Sequence, residues 1–198
     1  MNPSIENFMF RDLHPRISMG TASDRYAGWL GQVYSPERFG AKISKRAKTV
    51  GGKTVTEELL PVESVEEYFQ HFSVLELDFT FYSLLLDGHS NPTPTFRVLE
   101  TYRRFLKDSD HIVLKVPQTV FAQKLWRGGE FAENADYLNA ENFVQKFHSP
   151  AQELLGSTLQ GLIFEQEYHA KKERTAPDLF ASALDRFFET IPKDDRYH

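Results

Sequence analysis

The chain has 198 residues and a net charge of −5, so its overall charge provides no attraction to nucleic acid or to an anionic membrane. Hydrophobic residues make up 40% of the chain and aromatic residues 14%, which is enough to build the core of one ordinary domain. The absence of cysteine excludes disulfides and thiolate metal sites. No signal peptide is visible, and no apolar run approaches the roughly 20 residues that span a bilayer. We therefore expect a soluble, cytoplasmic protein with no membrane partner.

Four strand-like segments alternate with four helix-like segments along the chain. The strand-like segments are 14–20, 74–82, 111–119 and 159–167, and the helix-like segments are 64–72, 95–109, 139–157 and 176–192. Ser64 is predicted to cap the first helix, with Glu67 as its capping-box partner. Strict alternation of this kind predicts a parallel sheet with helical crossovers, either an open doubly wound sheet or a (β/α)8 barrel. Because no G-x-G-x-x-G follows the first strand, a dinucleotide-binding sheet is disfavoured.

The segment between about 41 and 60 differs from its surroundings because it is basic and contains few aromatic residues. We predict a surface insertion with Gly51–Gly52 as its turn. A phosphate-binding loop is the alternative, but the Walker pattern is missing. The predicted organisation is a lead-in at 1–13 followed by one α/β domain at 14–198.

Four motifs resemble, in the same order, the strand-end motifs of a known family. They are MGTASDRYAGWLGQVYSP (19–36), FSVLELDFTFYSLL (72–85), HIVLKVPQTV (111–120) and LGSTLQGLIFEQE (155–167). Together they resemble the YecE-like family, domain of unknown function 72, whose members are TIM barrels without an established general reaction. Two departures are Asp78, where the family usually has Asn, and FEQE in place of F-Q-L-P. The resemblance implies a TIM-barrel-type α/β fold with about four βα units, similar to the N-terminal half of the family's domain.

A partial barrel has a physical consequence for association. Four parallel strands leave two open edges, whereas a closed barrel has none. We therefore expect an isolated half to self-associate through the open edges, to fold incompletely, or to pair with a missing second half. The alternative is a truncated remnant, or a non-catalytic half-barrel that acts through binding or oligomerisation.

The acids of the second strand are the first candidates for catalysis. Active sites of TIM barrels lie at the C-terminal ends of the strands. Alternation in a strand running through LELDFTFY puts Glu76 and Asp78 on one face with Thr80 and Tyr82. Glu76 and Asp78 are therefore predicted to be catalytic, with Lys115 as a charge partner that lowers the pKa of Glu76. The alternatives are solvated acids on an edge strand and a structural ion pair.

Several other strand-end residues are candidate ligands. Aromatic side chains would provide flat walls for a sugar or a base, and the turn after the first strand would provide donors to an anion. The alternatives are aromatic capping of the barrel mouth and ordinary turn chemistry. The candidate substrate-binding residues are Gly20, Thr21, Ser23, Tyr26, Trp29, Tyr82, Glu165 and Glu167.

The strand-end acids also raise the question of a metal. With His169, the acids at 76, 78, 165 and 167 could hold a divalent metal ion, but no compact ligand motif supports this, and no other cofactor is identifiable. The favoured function is a hydrolase or isomerase acting on a small polar substrate that bears sugar or phosphate groups. Metal-dependent processing of phosphodiesters or nucleic acid is an alternative: the basic insertion favours it slightly, and the acidic net charge opposes it.

Overall fold

The fold is a mixed α/β arrangement, seen in a computed structural model that describes residues 9–50, 53–165 and 175–198. The strands are β1 (Gly20–Ala22), β2 (Ser44–Val50), β3 (Lys53–Leu59), β4 (Val74–Leu77), β5 (His111–Lys115), β6 (Lys124–Arg127), β7 (Glu130–Glu133) and β8 (Leu159–Ile163). The helices are α1 (Pro36–Phe39), α2 (Val65–His71), α3 (Pro94–Arg103), α4 (Gln118–Phe121), α5 (Ala140–Phe143), α6 (Ser149–Leu155) and α7 (Pro177–Thr190). Within these described ranges, none of the helices has the length and apolar character needed to cross a membrane.

Four strands form a parallel sheet in the order β1-β4-β5-β8. In β1 and β4, Gly20 pairs with Val74 and Ala22 with Glu76. Helix α2 lies in the chain between β1 and β4, α3 between β4 and β5, and α5 and α6 between β5 and β8. The predicted α/β class with a parallel sheet and helical crossovers is confirmed.

Alternation along the strands produces one fully covered face. In β4, Leu75 and Leu77 are buried while Glu76 between them is half-buried. In β5, Ile112 and Leu114 are buried, and the intervening side chains are half-buried. Each buried leucine or isoleucine contributes about 1.5–3 kcal/mol relative to exposure. The register of these strands is therefore set by the apolar positions, as the sequence predicts.

The chain divides into two compact units, the first comprising the described residues up to Glu76 with Val98–Ile112. Its core contains stacked aromatic rings, with Tyr68 and Phe72 4.7 Å apart and Trp29 and Phe72 6.3 Å apart between centroids. The guanidinium of Arg11 donates to the backbone oxygens of Phe69 and Phe72 and to the carboxylate of Asp110. Arg11 thus anchors the N-terminal lead-in to the starts of β4 and β5.

The second unit comprises Leu77–Arg97 with Val113–His198. Its core is a cluster of aromatic rings whose centroids lie 5.2 to 6.2 Å apart, mostly edge to face. The residues of this cluster are Phe121, Phe143, Phe164, Phe187 and Tyr197. Edge-to-face contacts of this kind add to the stabilisation that burial of the rings provides.

Two predicted strands have different limits in the structure. The first strand was predicted to end at Gly20, whereas β1 begins there and runs to Ala22. β4 ends at Leu77 because residues Asp78–Tyr82 form a 3₁₀-helix. The hydroxyl of Thr80, which is fully buried, donates to the backbone oxygens of Leu77 and Lys115 and holds this turn. The prediction that Asp78, Thr80 and Tyr82 share a strand face with Glu76 is therefore wrong.

The predicted capping box at α2 is also wrong. The side chain of Ser64 donates to the backbone oxygen of Pro61 and makes no cap to the helix. The carboxylate of Glu67 instead accepts from the backbone N–H of Ser35 at 2.7 Å and from its hydroxyl at 3.0 Å. The carboxylate of Glu67 therefore makes a tertiary contact at the start of α1. Sequence spacing alone favours a local capping hydrogen bond instead.

Two antiparallel hairpins were absent from the predicted elements. The pair β6–β7 lies where a loop was expected, and the pair β2–β3 occupies the predicted insertion. Lys45 pairs with Glu58 at 2.6 Å and Arg46 with Glu57 at 2.5 Å across β2 and β3. The basic character of β2 is therefore balanced by acids of β3 at these positions. The predicted turn at Gly51–Gly52 lies outside the described residues.

The segment after α7 returns to the sheet beside β8. The N–H of Leu162 donates to the oxygen of Arg196, and Leu162 and Tyr197 form a parallel bridge. Asp194 accepts from Arg196 at 2.5 Å and lies 2.9 Å from Nε2 of His148. The hydrogen bonds from Arg196, followed by that from His148, hold the pKa of Asp194 well below its ordinary value against the opposing effect of burial.

Gly20→Ala should destabilise the fold by about 3 kcal/mol or more, since overpacking against rigid backbone is costly. A Cβ at Gly20 would lie 1.8 Å from the backbone oxygen of Val74, so β1 and β4 would have to separate. The free energy of unfolding in urea measures the effect. Gly28→Ala is the matched control, because its Cβ would meet no atom within 4 Å. Equal stability of the two variants would contradict the steric argument.

Asp194→Asn should make stability less sensitive to acid. Because the folded protein lowers the pKa of Asp194, its ionised form stabilises the fold above the ordinary aspartate pKa of about 3.9. That contribution is lost as the pH falls below this value. Urea unfolding between neutral pH and about pH 3 should show a shallower decline than in the unmodified protein. Asp195→Asn removes an exposed neighbouring charge, and an equally shallow decline in that control would refute the assignment.

Candidate functional site

An acid and a base meet at the C-terminal ends of two strands of the second unit. Lys115 is the last residue of β5, and Glu165 follows the end of β8 by two residues. The Nζ atom of Lys115 lies 2.8 Å from Oε2 of Glu165, and the side chains are 22% and 50% exposed. The buried hydroxyl of Thr80 donates to the backbone oxygen of Lys115 at 2.8 Å, which fixes the strand end that carries the amine. The pair is therefore well positioned and accessible to a ligand.

The other predicted catalytic residues lie at the end of β4. Glu76 is half-buried on β4, and its backbone oxygen accepts from the N–H of Ser23 at 2.8 Å. Asp78 is exposed at the first position of the 3₁₀-helix. Glu165 is a partner of Lys115 within the second unit. The predicted pairing of Lys115 with Glu76 stays a prediction.

The metal hypothesis depends partly on residues outside the described ranges. Glu167 and His169, two of its proposed ligands, lie outside them. Among residues 9–50, 53–165 and 175–198, no three side chains of His, Cys, Asp or Glu form a group that could hold a metal ion. Metal binding accordingly stays a prediction from the sequence.

The predicted anion donors after β1 are engaged within the protein. The N–H of Thr21 donates to the hydroxyl oxygen of Tyr68 at 2.8 Å, and the hydroxyl of Thr21 donates to the backbone oxygen of Ser23 at 2.7 Å. Ser23 has a positive φ of 70°, and its N–H bonds to β4. The lack of a side chain at Gly20 is explained by the close approach of the backbone of Val74. These groups have structural partners that account for their residue types.

A buried carboxylate lies directly after this turn, and the sequence did not indicate it. Asp24 is 1% exposed, and its Oδ1 accepts from the hydroxyl of Tyr102 at 2.8 Å, while its backbone oxygen accepts from the hydroxyl of Tyr34. Burial, followed by the negative charge of Asp24, raises the pKa of Tyr34. Burial likewise raises the pKa of Tyr68 to about 12. Both tyrosines therefore remain protonated hydrogen-bond donors at neutral pH.

The predicted aromatic walls line a groove on the first unit. Tyr26 and Trp29 lie with ring centroids 4.9 Å apart at an interplanar angle of 59°, and they border a groove of about 480 Å³ together with Ala27, Gly28 and Glu58. A backbone bridge between Tyr26 and Leu59 brings β3, and hence Glu58, to this place. Glu58 was not among the predicted residues, because it comes from the hairpin that the sequence did not reveal.

The remaining candidate, Tyr82, is 70% exposed and packs edge to face on Phe81. A second hollow of about 380 Å³ lies beside Arg11, Phe69 and Asp110, at the N-terminal ends of β4 and β5. The guanidinium of Arg11 is occupied there by protein acceptors. This engagement gives the guanidinium a structural role.

Comparisons with known proteins supply no assignment for these residues. No family model, no curated protein and no solved structure matches the chain.

Tyr102→Phe should lower the free energy of unfolding by about 1–3 kcal/mol, because it removes a donor from a buried carboxylate. Urea denaturation measures the loss. Tyr26→Phe is the matched control, since the hydroxyl of Tyr26 bonds the backbone oxygen of Ala22 on a side chain that is 43% exposed. A loss at Tyr102 no larger than that at Tyr26 would contradict a structural role for the Asp24 contact.

Proposed function

We propose that this chain carries a TIM-barrel-type domain of the YecE-like kind and acts on a small polar substrate at the C-terminal ends of its strands. The family resemblance from the four motifs is one support. The strand order is another support. Strands that are adjacent in the parallel sheet also follow one another along the chain, in the order β1, β4, β5, β8. A doubly wound sheet instead reverses its order at a switch point. The parallel bridge from Leu162 to Tyr197 adds the next segment of chain in the same direction.

The pair Lys115–Glu165 is the observation that carries the chemical part of the proposal. The carboxylate of Glu165 is the general base, which takes a proton from an activated water or from carbon beside a carbonyl. The ammonium of Lys115 stabilises the negative charge that develops on the substrate oxygen. These roles suit a hydrolase or an isomerase of sugar-like or phosphate-bearing compounds.

Magnitudes favour a functional role for this pair over a stabilising one. An ion pair with one partner half exposed contributes about 0–1 kcal/mol to folding. A positioned general acid or base contributes about 10²–10⁴-fold to a rate. Substitution of Lys115 should therefore affect activity far more than stability, which makes the two effects separable by experiment.

Lys115→Gln should lower turnover by about 100-fold or more while leaving the urea midpoint nearly unchanged. The assays are hydrolysis of p-nitrophenyl pyranosides and of p-nitrophenyl phosphate, and aldose–ketose interconversion followed by NMR. Lys107→Gln, which alters an exposed lysine of the first unit, is the control and should retain full activity. Turnover in none of these assays, or full activity in Lys115→Gln, would refute the proposed catalytic role.

A further inference from the structure

We propose that the groove formed by Tyr26, Trp29 and Glu58 binds the pyranose ring of a neutral sugar. This inference goes beyond the proposed function, because it concerns binding within the first unit and requires no reaction at Lys115–Glu165. It depends on three features of the groove: two aromatic rings in contact, a paired donor and acceptor beside them, and an open shape.

The two aromatic rings are in contact but tilted. Their centroids are 4.9 Å apart, and their planes make an angle of 59°. One face of a pyranose carries C–H groups with partial positive charge, and these are attracted to the negative face of an aromatic ring. An aromatic cage for a quaternary ammonium needs rings that stand apart around the cation. Contact between Tyr26 and Trp29 leaves no space for a cation between them, and their tilt allows a pyranose to stack on one ring while touching the other.

A donor and an acceptor stand together beside these rings. Glu58 lines the groove, and its Oε1 lies 2.6 Å from Nζ of Lys45. The hydrogen bond to Glu58 raises the pKa of Lys45, so the amine is charged at neutral pH. Neighbouring hydroxyls of a sugar can donate to the carboxylate and accept from the ammonium at once.

The same ion pair disfavours charged ligands. The carboxylate of Glu58, which lines the groove, would repel an anion, and the ammonium of Lys45 at 2.6 Å from it offsets its attraction for a cation. Arg46, the next cation of the hairpin, is paired with Glu57. Nucleotides and nucleic acids are held mainly by cations that can contact phosphate. A neutral polyol is the ligand class that satisfies both partners.

The shape of the groove indicates how much of a ligand it holds. Its volume of about 480 Å³ lies within the range of small-molecule sites, and it is shallow and widely open to solvent. Tyr26 is 43% exposed at its edge. Such a site accommodates one ring while leaving the rest of a longer saccharide in solvent.

The test uses the intrinsic fluorescence of Trp29. The chain has two tryptophans, and Trp126 is exposed on the β6–β7 hairpin, so Trp126→Phe leaves Trp29 as the only tryptophan reporter. In this background we expect saturable changes in emission on titration with at least one of methyl β-D-glucopyranoside, methyl β-D-galactopyranoside and methyl α-D-mannopyranoside. Glu58→Gln should raise the Kd about tenfold, because it removes a charged acceptor.

Controls separate the sugar from other ligands. Phe131→Ala, on the other hairpin, should leave the Kd unchanged, and circular dichroism checks that every variant is folded. Tetramethylammonium and adenosine 5′-monophosphate are the competing probes. The proposal is overturned if no pyranoside gives saturable binding, if either competing probe binds more tightly than every pyranoside, or if Glu58→Gln binds as well as the unmodified groove. Since the readout is binding and not turnover, such a result would leave the role of Lys115–Glu165 standing.

Discussion

The buried carboxylate of Asp24 is the constraint around which the first unit is organised. Removing a carboxylate from water costs several kcal/mol unless donors replace the water. The hydroxyl of Tyr102 in α3 donates to this carboxylate, and the hydroxyl of Tyr34, just before α1, donates to the backbone oxygen of the same residue. Both elements are therefore fixed relative to the end of β1. The position of the aromatic groove depends on the same residue, because the N–H of Tyr26 also donates to the backbone oxygen of Asp24.

Polar groups serve different purposes at the two ends of the strands. Near the N-terminal ends of β4 and β5, Arg11 is enclosed by backbone oxygens and by Asp110, so its charge is used for anchoring. At the C-terminal ends of β5 and β8, Lys115 and Glu165 are partly open to solvent. A half-exposed pair adds little to stability. The chemical proposal rests on this pair because it is within reach of a ligand.

Pairing of charges also changes how the basic insertion is interpreted. In the sequence, the lysines and arginine of β2 form a cationic run that could attract a phosphate. In the structure, Lys45 and Arg46 face Glu58 and Glu57 across the hairpin. The described charges of the hairpin are thus neutralised in pairs. The pair of Lys45 and Glu58 is at the aromatic groove, where it offers hydrogen-bonding groups whose charges sum to zero.

The sequence by itself determined the class of fold, because apolar periodicity and the alternation of four strand-like with four helix-like segments predict a parallel sheet with helical crossovers. It also determined which side chains of β4 are covered, since alternate positions of a strand face opposite ways: Leu75 and Leu77 are buried, and Glu76 is not. Where that strand ends was decided only by tertiary structure, because Thr80 bonds a carbonyl 35 residues away in sequence. The groove and the Asp24 contact were decided in the same way. Glu58 and Tyr102 reach their places through pairings across distant segments, and such pairings leave no local pattern in the chain.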